Sequence, residues 1–380
     1  MKNSLKEKSE IFSAMKENYL QATKQLPVGF KSTHWDSFDR KFHRLFSQYN
    51  VWENMLRNQL TLGLNDNLIE ISNRRFSDKG DDFWKKLREG EIKNIISEKR
   101  DRNNIKMDID HLKVVIAYTD LNFVMKNCIT DVGNPVTTKI KIDHKSESRI
   151  INYNFHDTGD LYHAWLILKH LDQYKNCNPI ICEIGGGYGG LAVKIKSNVK
   201  GAKIIMFDLP EVNAYQTFYL SRVFEGANIK GYKDFIEQGL SILEENFDFL
   251  ILPGWAINQF PQASVDCYIN VRSMMEMNKE NLEFYFKAIQ SSLKIEGNFS
   301  CFNRYTKPVG NFENRLDLYP FDDDWKILMS QASAFQPHIH QFILQRKENN
   351  SGFNFRRKLK DVKKNDTYSR KSDSKTISNS

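Results

Sequence analysis

Several features are scarce in this 380-residue sequence, and each scarcity removes a class of function. No stretch approaches the ~18 consecutive apolar residues that a membrane-crossing helix needs. The opening MKNSLKEKSEIFSAMKENY is charged throughout and has no apolar core of the kind a secretory leader carries, so no leader is expected there. Cysteine is sparse and odd in number: Cys128, Cys177, Cys182, Cys267 and Cys301 include no C-x-x-C pair. That argues against a disulfide framework and a zinc knuckle, and it suits reduced thiols in the cytoplasm, the expected location. Charge of one sign is also missing from most of the chain. The net charge is +8, but ten lysines and arginines against four acids lie beyond residue 346, leaving +2 for everything before it. A nearly neutral body without interleaved basic and aromatic residues argues against a nucleic-acid partner.

What remains is the composition of a globular protein, 40% hydrophobic and 27% charged, long enough for two domains or for one domain with a large extension. Residues 1–130 read as mostly helical, with segments at 4–23, 35–48, 51–62, 82–97 and 109–128. The aromatics Trp35, Phe38, Phe42, Phe46, Tyr49 and Trp52 recur there at helical spacing and read as core. This region is expected to be a cap or an oligomerisation arm, which would make the protein a homo-oligomer. Residues 131–160 change texture: TTKIKID and RIINYNF alternate apolar with polar, the pattern of a β-hairpin that could serve as a connector or lid. Asp160 is read as the cap of a following helix, with His156, Asp157 and His163 as polar candidates beside it. From 161 to 346, apolar runs alternate with helical stretches, as in a doubly wound α/β domain. The helix after INVRS is placed at 273–293, and no strand is assigned between Trp325 and His340. Residues 347–380 bury too little apolar surface to offset ordering and are expected to be disordered. Their basic cluster suits contact with an anionic membrane surface, or simply keeps the chain in solution.

Chemistry concentrates at 179–210, PIICEIGGGYGGLAVKIKSNVKGAKIIMFDLP. An apolar run ends in Glu183, and Gly185, Gly187 and Gly189 follow at alternate positions. An apolar helix comes next, then a second apolar run that ends in Asp208 and Leu209. Strand, glycine loop, helix and strand make a βαβ unit, whose loop suits a nucleotide-like ligand. Gly185, Gly187 and Gly190 also satisfy the dinucleotide spacing G-x-G-x-x-G. A carboxylate at Glu183 nevertheless repels a pyrophosphate and attracts a cation.

E-x-G-x-G-x-G resembles the first motif of the class I S-adenosylmethionine (SAM)-dependent methyltransferases. Four stretches together are similar to a family of sugar O-methyltransferases of bacterial surface-polysaccharide biosynthesis: EIGGGYGGLA, FDLPEV, INVRSMMEMN and F-x-x-H-x-H-x-F-I-L-Q-R, within residues 152–346. The resemblance implies a Rossmann-like sheet, SAM as the methyl donor, and a sugar acceptor that is a nucleotide sugar or a glycan intermediate. It assigns Glu183 to the methionine end, the three glycines to close backbone approach, Asp208 to the ribose hydroxyls and Leu209 to the adenine edge. Asn270, Arg272 and Ser273 would contact the acceptor, and Arg272 with Met274 and Met275 departs from the aromatic or amide expected in that turn. Sugar hydroxyls are weak acids, so a base is needed: Glu276, His163 or His340. A divalent metal is an open question, since Asp322, Asp323 and Asp324 read as a solvated turn without partner histidines. Three other readings stay open: another small-molecule hydroxyl as acceptor, a SAM-binding module without turnover, and an NAD-dependent oxidoreductase.

Overall fold

A computed structural model of the chain describes residues 2–31, 102–128, 132–133, 137–144, 147–154, 157–174, 177–334, 336–348 and 355–362. The helices expected at 35–48, 51–62 and 82–97, and the candidate His156, lie outside them. None of the described helices is long and apolar enough to cross a membrane.

The N-terminal part supplies helices α1 (Lys2–Lys24), α2 (Arg102–Tyr118) and α3 (Leu121–Asn127). A hairpin follows, β1 (Thr138–His144) and β2 (Glu147–Tyr153), with Ile140 opposite Ile151. Its alternation is physical: Ile140, Ile142, Ile151 and Tyr153 are buried, while Lys139, Lys141 and Ile150 face outward.

Among the described residues that follow is a sheet of eight strands: β3 (Ile180–Ile184), β4 (Lys203–Asp208), β5 (Ile229–Lys230), β6 (Phe249–Pro253), β7 (Val265–Val271), β8 (Leu293–Arg304), β11 (Trp325–Ala332) and β12 (Ile339–Arg346). A separate short pair, β9 (Thr306–Val309) and β10 (Phe312–Arg315), sits beyond β8. The spatial order is β11-β12-β8-β7-β3-β4-β6-β5, with β12 antiparallel to both of its neighbours. Chain order runs one way from β3 through β4 to β6 and the other way from β7 to β8. The reversal therefore falls between β3 and β7, where doubly wound sheets bind their ligands.

Alternation sorts the strands onto two cores. Ile181, Ile204, Met206 and Ile269 pack with α4 (Asp157–Leu168), α5 (Gly190–Asn198) and α6 (Pro210–Val223). Cys182, Ile184, Ile205, Phe207 and Tyr268 pack on the opposite face with α7 (Tyr232–Gln238) and α8 (Lys279–Ser292). Glu183 shares the parity of Ile181, so its side chain belongs to the α4–α5 face.

Four expectations need correction. The helix placed at 273–293 starts only at Lys279, and a turn with a short 3-10 helix at Met274–Glu276 precedes it. Asn278 is its cap, accepting from the Asn281 N–H at 2.8 Å. The stretch left without a strand contains β11, an edge strand broken by a bulge between Ile327 and Met329. Asp160 does not cap α4 but lies in its first turn, because the helix starts at Asp157. Finally, within the tail expected to be disordered, α9 (Phe355–Val362) is a helix whose Phe355, Leu359 and Val362 are buried. Phe355 lies 5.0 Å from the Phe321 ring, and the spacing i, i+4, i+7 explains how so basic a segment docks.

Candidate active site

The site is built from the carboxyl ends of β3, β4, β7 and β8. After β3 the chain turns through Gly185, Gly187 and Gly189, all with positive φ, at 68°, 56° and 99°. Two of these glycines serve different ends. A Cβ on Gly185 would collide with Ser273 Oγ, so this glycine is needed for packing within the protein. A Cβ on Gly187 would meet nothing within 4 Å, which leaves its backbone open to an approaching ligand.

Beneath the loop lies Glu183, 4% exposed, with Oε2 buried and without a hydrogen-bond partner. Burial first, then the nearby charges of Asp160 and Asp208, push its pKa up to about 8. Asp208 ends β4 and is half-buried. Its Oδ1 accepts from the Leu209 N–H at 2.8 Å, its Oδ2 from Gln216 Nε2 at 3.1 Å, and the Gly187 N–H also donates to it. Burial outweighs these hydrogen bonds and holds its pKa up at about 7. Leu209 caps α6, with Pro210 in the first turn. Asp160, which sequence reasoning missed as a site residue, accepts from Tyr188 OH at 3.1 Å, and a Cβ on Gly190 would collide with it. Three acids therefore surround one glycine loop, an electrostatic setting that favours a cation.

Two supports hold this loop. Asp157 and Lys194 form a fully buried ion pair at 2.9 Å that ties α4 to α5. Glu211, in the first turn of α6, pairs with Lys31 at 2.6 Å, also buried, so the segment after α1 is fastened beside Asp208.

On the other side of the reversal, Asn270 is wholly buried and acts as a junction. Its Nδ2 donates to Ile184 O at 2.9 Å and Ser273 Oγ at 2.5 Å, and its Oδ1 accepts from Asn303 Nδ2 at 2.9 Å and the Met274 N–H at 3.3 Å. Both donors and both lone pairs are used within the protein. Ser273 Oγ in turn donates to Ile184 O at 3.0 Å. Asn270 and Ser273 thus fasten β3 to the β7 turn rather than reaching outward. Arg272, between them, has a left-handed φ of 65°, and its N–H donates to Phe302 O at 2.8 Å.

The three base candidates separate clearly. His340 has both ring nitrogens occupied, Nδ1 by Tyr305 OH and Nε2 by Ser330 Oγ, each at 3.0 Å; burial lowers its pKa to about 4. This is a structural histidine, contrary to the catalytic expectation. Glu276 Oε1 is bound by Lys307 Nζ at 2.6 Å. His163 on α4 is buried, its ring 5.5 Å from that of Phe302 near the end of β8. Burial and the Arg272 charge lower its pKa to about 3, so it is neutral. The acids expected to form a solvated turn are engaged as well: Asp322 pairs with Arg346 at 2.5 Å, and Asp323 accepts from the Arg356 N–H at 3.1 Å at the start of α9. Among the described residues, no group of three or more His, Cys, Asp and Glu side chains is arranged to hold a metal ion.

No family model matches the chain, and no curated protein matches it. Solved structures similar to it include the mitomycin 7-O-methyltransferase MmcR, at 13% identity over 50% of this chain and 57% of that one, with a TM-score of 0.30. Human N-acetylserotonin methyltransferase in complex with SAM is 15% identical over 51% and 56% of the two chains, with a TM-score of 0.30. A SAM-dependent methyltransferase from Aquifex aeolicus is 12% identical over 50% and 93%, with a TM-score of 0.32. The chain spans little more than half the length of the first two, and the substrates in their names are theirs alone.

Proposed function

We propose that the chain is a SAM-dependent O-methyltransferase acting on a hydroxyl of a sugar, either a nucleotide sugar or a glycan intermediate. The observation that carries the cofactor assignment is Glu183. Its Oε2 is a buried acceptor without a donor, beneath a glycine loop crowded by Asp160 and Asp208. A cationic ligand relieves that arrangement, whereas a dinucleotide pyrophosphate aggravates it. Strand order supports the same choice. A dinucleotide sheet runs 3-2-1-4-5-6 in parallel, whereas here the antiparallel β12 is inserted between β8 and β11. The preference for a sugar rests on the sequence resemblance.

The residues fit the cofactor as follows. Glu183 would face its ammonium and sulfonium charges, Gly187 would admit it closely, and Asp208, with Leu209 beside it, would take the ribose hydroxyls and adenine edge. When bound, SAM supplies an activated methyl group. The chain's own work is to align the acceptor oxygen, exclude water and take up the hydroxyl proton. Asn270 and Ser273 position the mouth by locking β3, β7 and β8 together. His163 is the proton acceptor, held neutral first by burial and then by the charge of Arg272; neutralising Arg272 relieves the second of these alone.

Calorimetric titration of the full chain with S-adenosylhomocysteine and, separately, with NAD tests this reading. Saturable binding of S-adenosylhomocysteine alone is expected. Binding of NAD alone would overturn it.

A further inference from the structure

Adjacent strands β7 and β8 both lead into arginines. Arg272 follows β7 directly, and Arg304 is the last residue of β8. The Arg272 N–H bond to Phe302 O keeps the two strand ends side by side. Both residues are half-buried, and the Nε atoms of both are buried without a partner. Among the described residues neither guanidinium is ion-paired. Of the acids whose charge reaches Arg272, Glu276 is bound to Lys307 and Asp160 accepts from Tyr188.

Two neighbouring, half-buried cations without counter-ions cost the fold stability. Burial and the repulsion of Arg304 accordingly hold the Arg272 pKa below its ordinary value. The backbone adds to that cost, because an arginine at φ 65° occupies a region where glycine sits without strain. Among the described residues the charges of Glu276 and Asp160 offset that electrostatic cost only in part, and an anionic ligand can offset the rest.

We infer that Arg272 and Arg304 form an anion subsite that holds a phosphoryl group carried by the acceptor. The inference rests on the proposed function in one respect, that the acceptor enters at this mouth. The chemistry favours phosphoryl over carboxylate. One guanidinium fork satisfies a planar carboxylate, whereas two guanidinium groups on adjacent strand ends suit the several oxygens and higher charge of a phosphoryl or pyrophosphoryl group. Such an anchor at the β7 and β8 ends would fix the sugar relative to the glycine loop next to β7, so that one hydroxyl is presented and others are not. It would also neutralise the Arg272 charge, the smaller of the two causes that depress His163, so that acceptor binding raises the basicity of that ring.

The test is calorimetric titration of the full chain with inorganic pyrophosphate, with and without S-adenosylhomocysteine, and with glucuronate as the carboxylate probe. Saturable pyrophosphate binding is expected, weakened about tenfold or more in Arg304→Gln and partly kept in Arg304→Lys. Affinity for S-adenosylhomocysteine should stay unchanged in both variants, which also reports that they are folded. Absence of pyrophosphate binding, wild-type binding by Arg304→Gln, or binding of glucuronate in place of pyrophosphate would each overturn the inference. If S-adenosylhomocysteine binds and pyrophosphate does not, only the subsite fails. If pyrophosphate binds and S-adenosylhomocysteine does not, the cofactor reading fails and the anion site stands.

Discussion

The carboxylate of Glu183 lies directly under the backbone of Gly186: a Cβ built there would stand 2.9 Å from Glu183 Oε2 and 2.8 Å from its Cδ. Loop and acid are therefore one unit, and the charge of Glu183 is confined beneath the place where a ligand would rest. An acid held in this way without a cation is destabilising when ionised.

That has a pH signature. The folded pKa of Glu183, about 8, lies above its ordinary value of 4.5, so its favourable contribution is full below 4.5 and is lost as pH rises through 8. Asp208, held at about 7, acts in the same direction. Ligand-free Glu183→Gln should therefore gain thermal stability over wild type as pH increases across this window, and thermal melts from pH 5 to 9 would show it. SAM binding should release protons near pH 7, because a cation lowers the pKa of the acid it meets. Calorimetry in buffers of different ionisation enthalpy measures that release.

Gly185 and Gly187 should respond differently to alanine. Gly185→Ala forces a Cβ into Ser273 and a strained φ, so a loss of about 2–4 kcal/mol in unfolding free energy is expected. Gly187→Ala meets no atoms and should cost only about 1–2 kcal/mol, yet weaken S-adenosylhomocysteine binding by an order of magnitude or more. Chemical denaturation and titration on the same two proteins separate the effects.

Asp157 and Lys194 bear on stability rather than chemistry. Lys194→Met takes the cation away from a buried carboxylate and should cost about 3–5 kcal/mol, whereas the double change Asp157→Leu with Lys194→Met should recover much of that loss. A denaturant series on the three proteins is the measurement.

The two histidines can be told apart by turnover. His340→Gln breaks the bonds to Tyr305 and Ser330 and should lower stability by about 1–2 kcal/mol, with far less than the ~100-fold loss of rate that removing a general base brings. His163→Gln should lose about 100-fold or more in methyl transfer while keeping its affinity for S-adenosylhomocysteine. Equal rates for the two variants would remove His163 from the proposed chemistry.

What was legible in the sequence was local. Glu183, the glycines and Asp208 lie within one βαβ unit, so their spacing alone gives the loop. Arg304 and Asp160 join the site only through strand pairing and the docking of α4, and no short pattern announces them, although a residue at a strand's carboxyl end, as Arg304 is, can be suspected from position. Asn270 looked like an acceptor contact because the sequence shows its amide but not the four partners that occupy it. β11 escaped notice because an edge strand with a bulge loses clean alternation. In α9 the apolar spacing of Phe355, Leu359 and Val362 was present, but the surrounding lysines and arginines outweighed it.

The position of β12 governs how the chain can be assembled. Among the described strands it comes last in the chain, yet it lies inside the sheet, hydrogen-bonded to β8 on one side and β11 on the other. A chain made only as far as β11 lacks the strand to which both β8 and β11 are hydrogen-bonded. Residues 339–346 supply that strand. A chain that stops before Ile339 would hold the whole glycine loop and both acids, yet keep an unclosed sheet; it should aggregate on expression, as sedimentation would report.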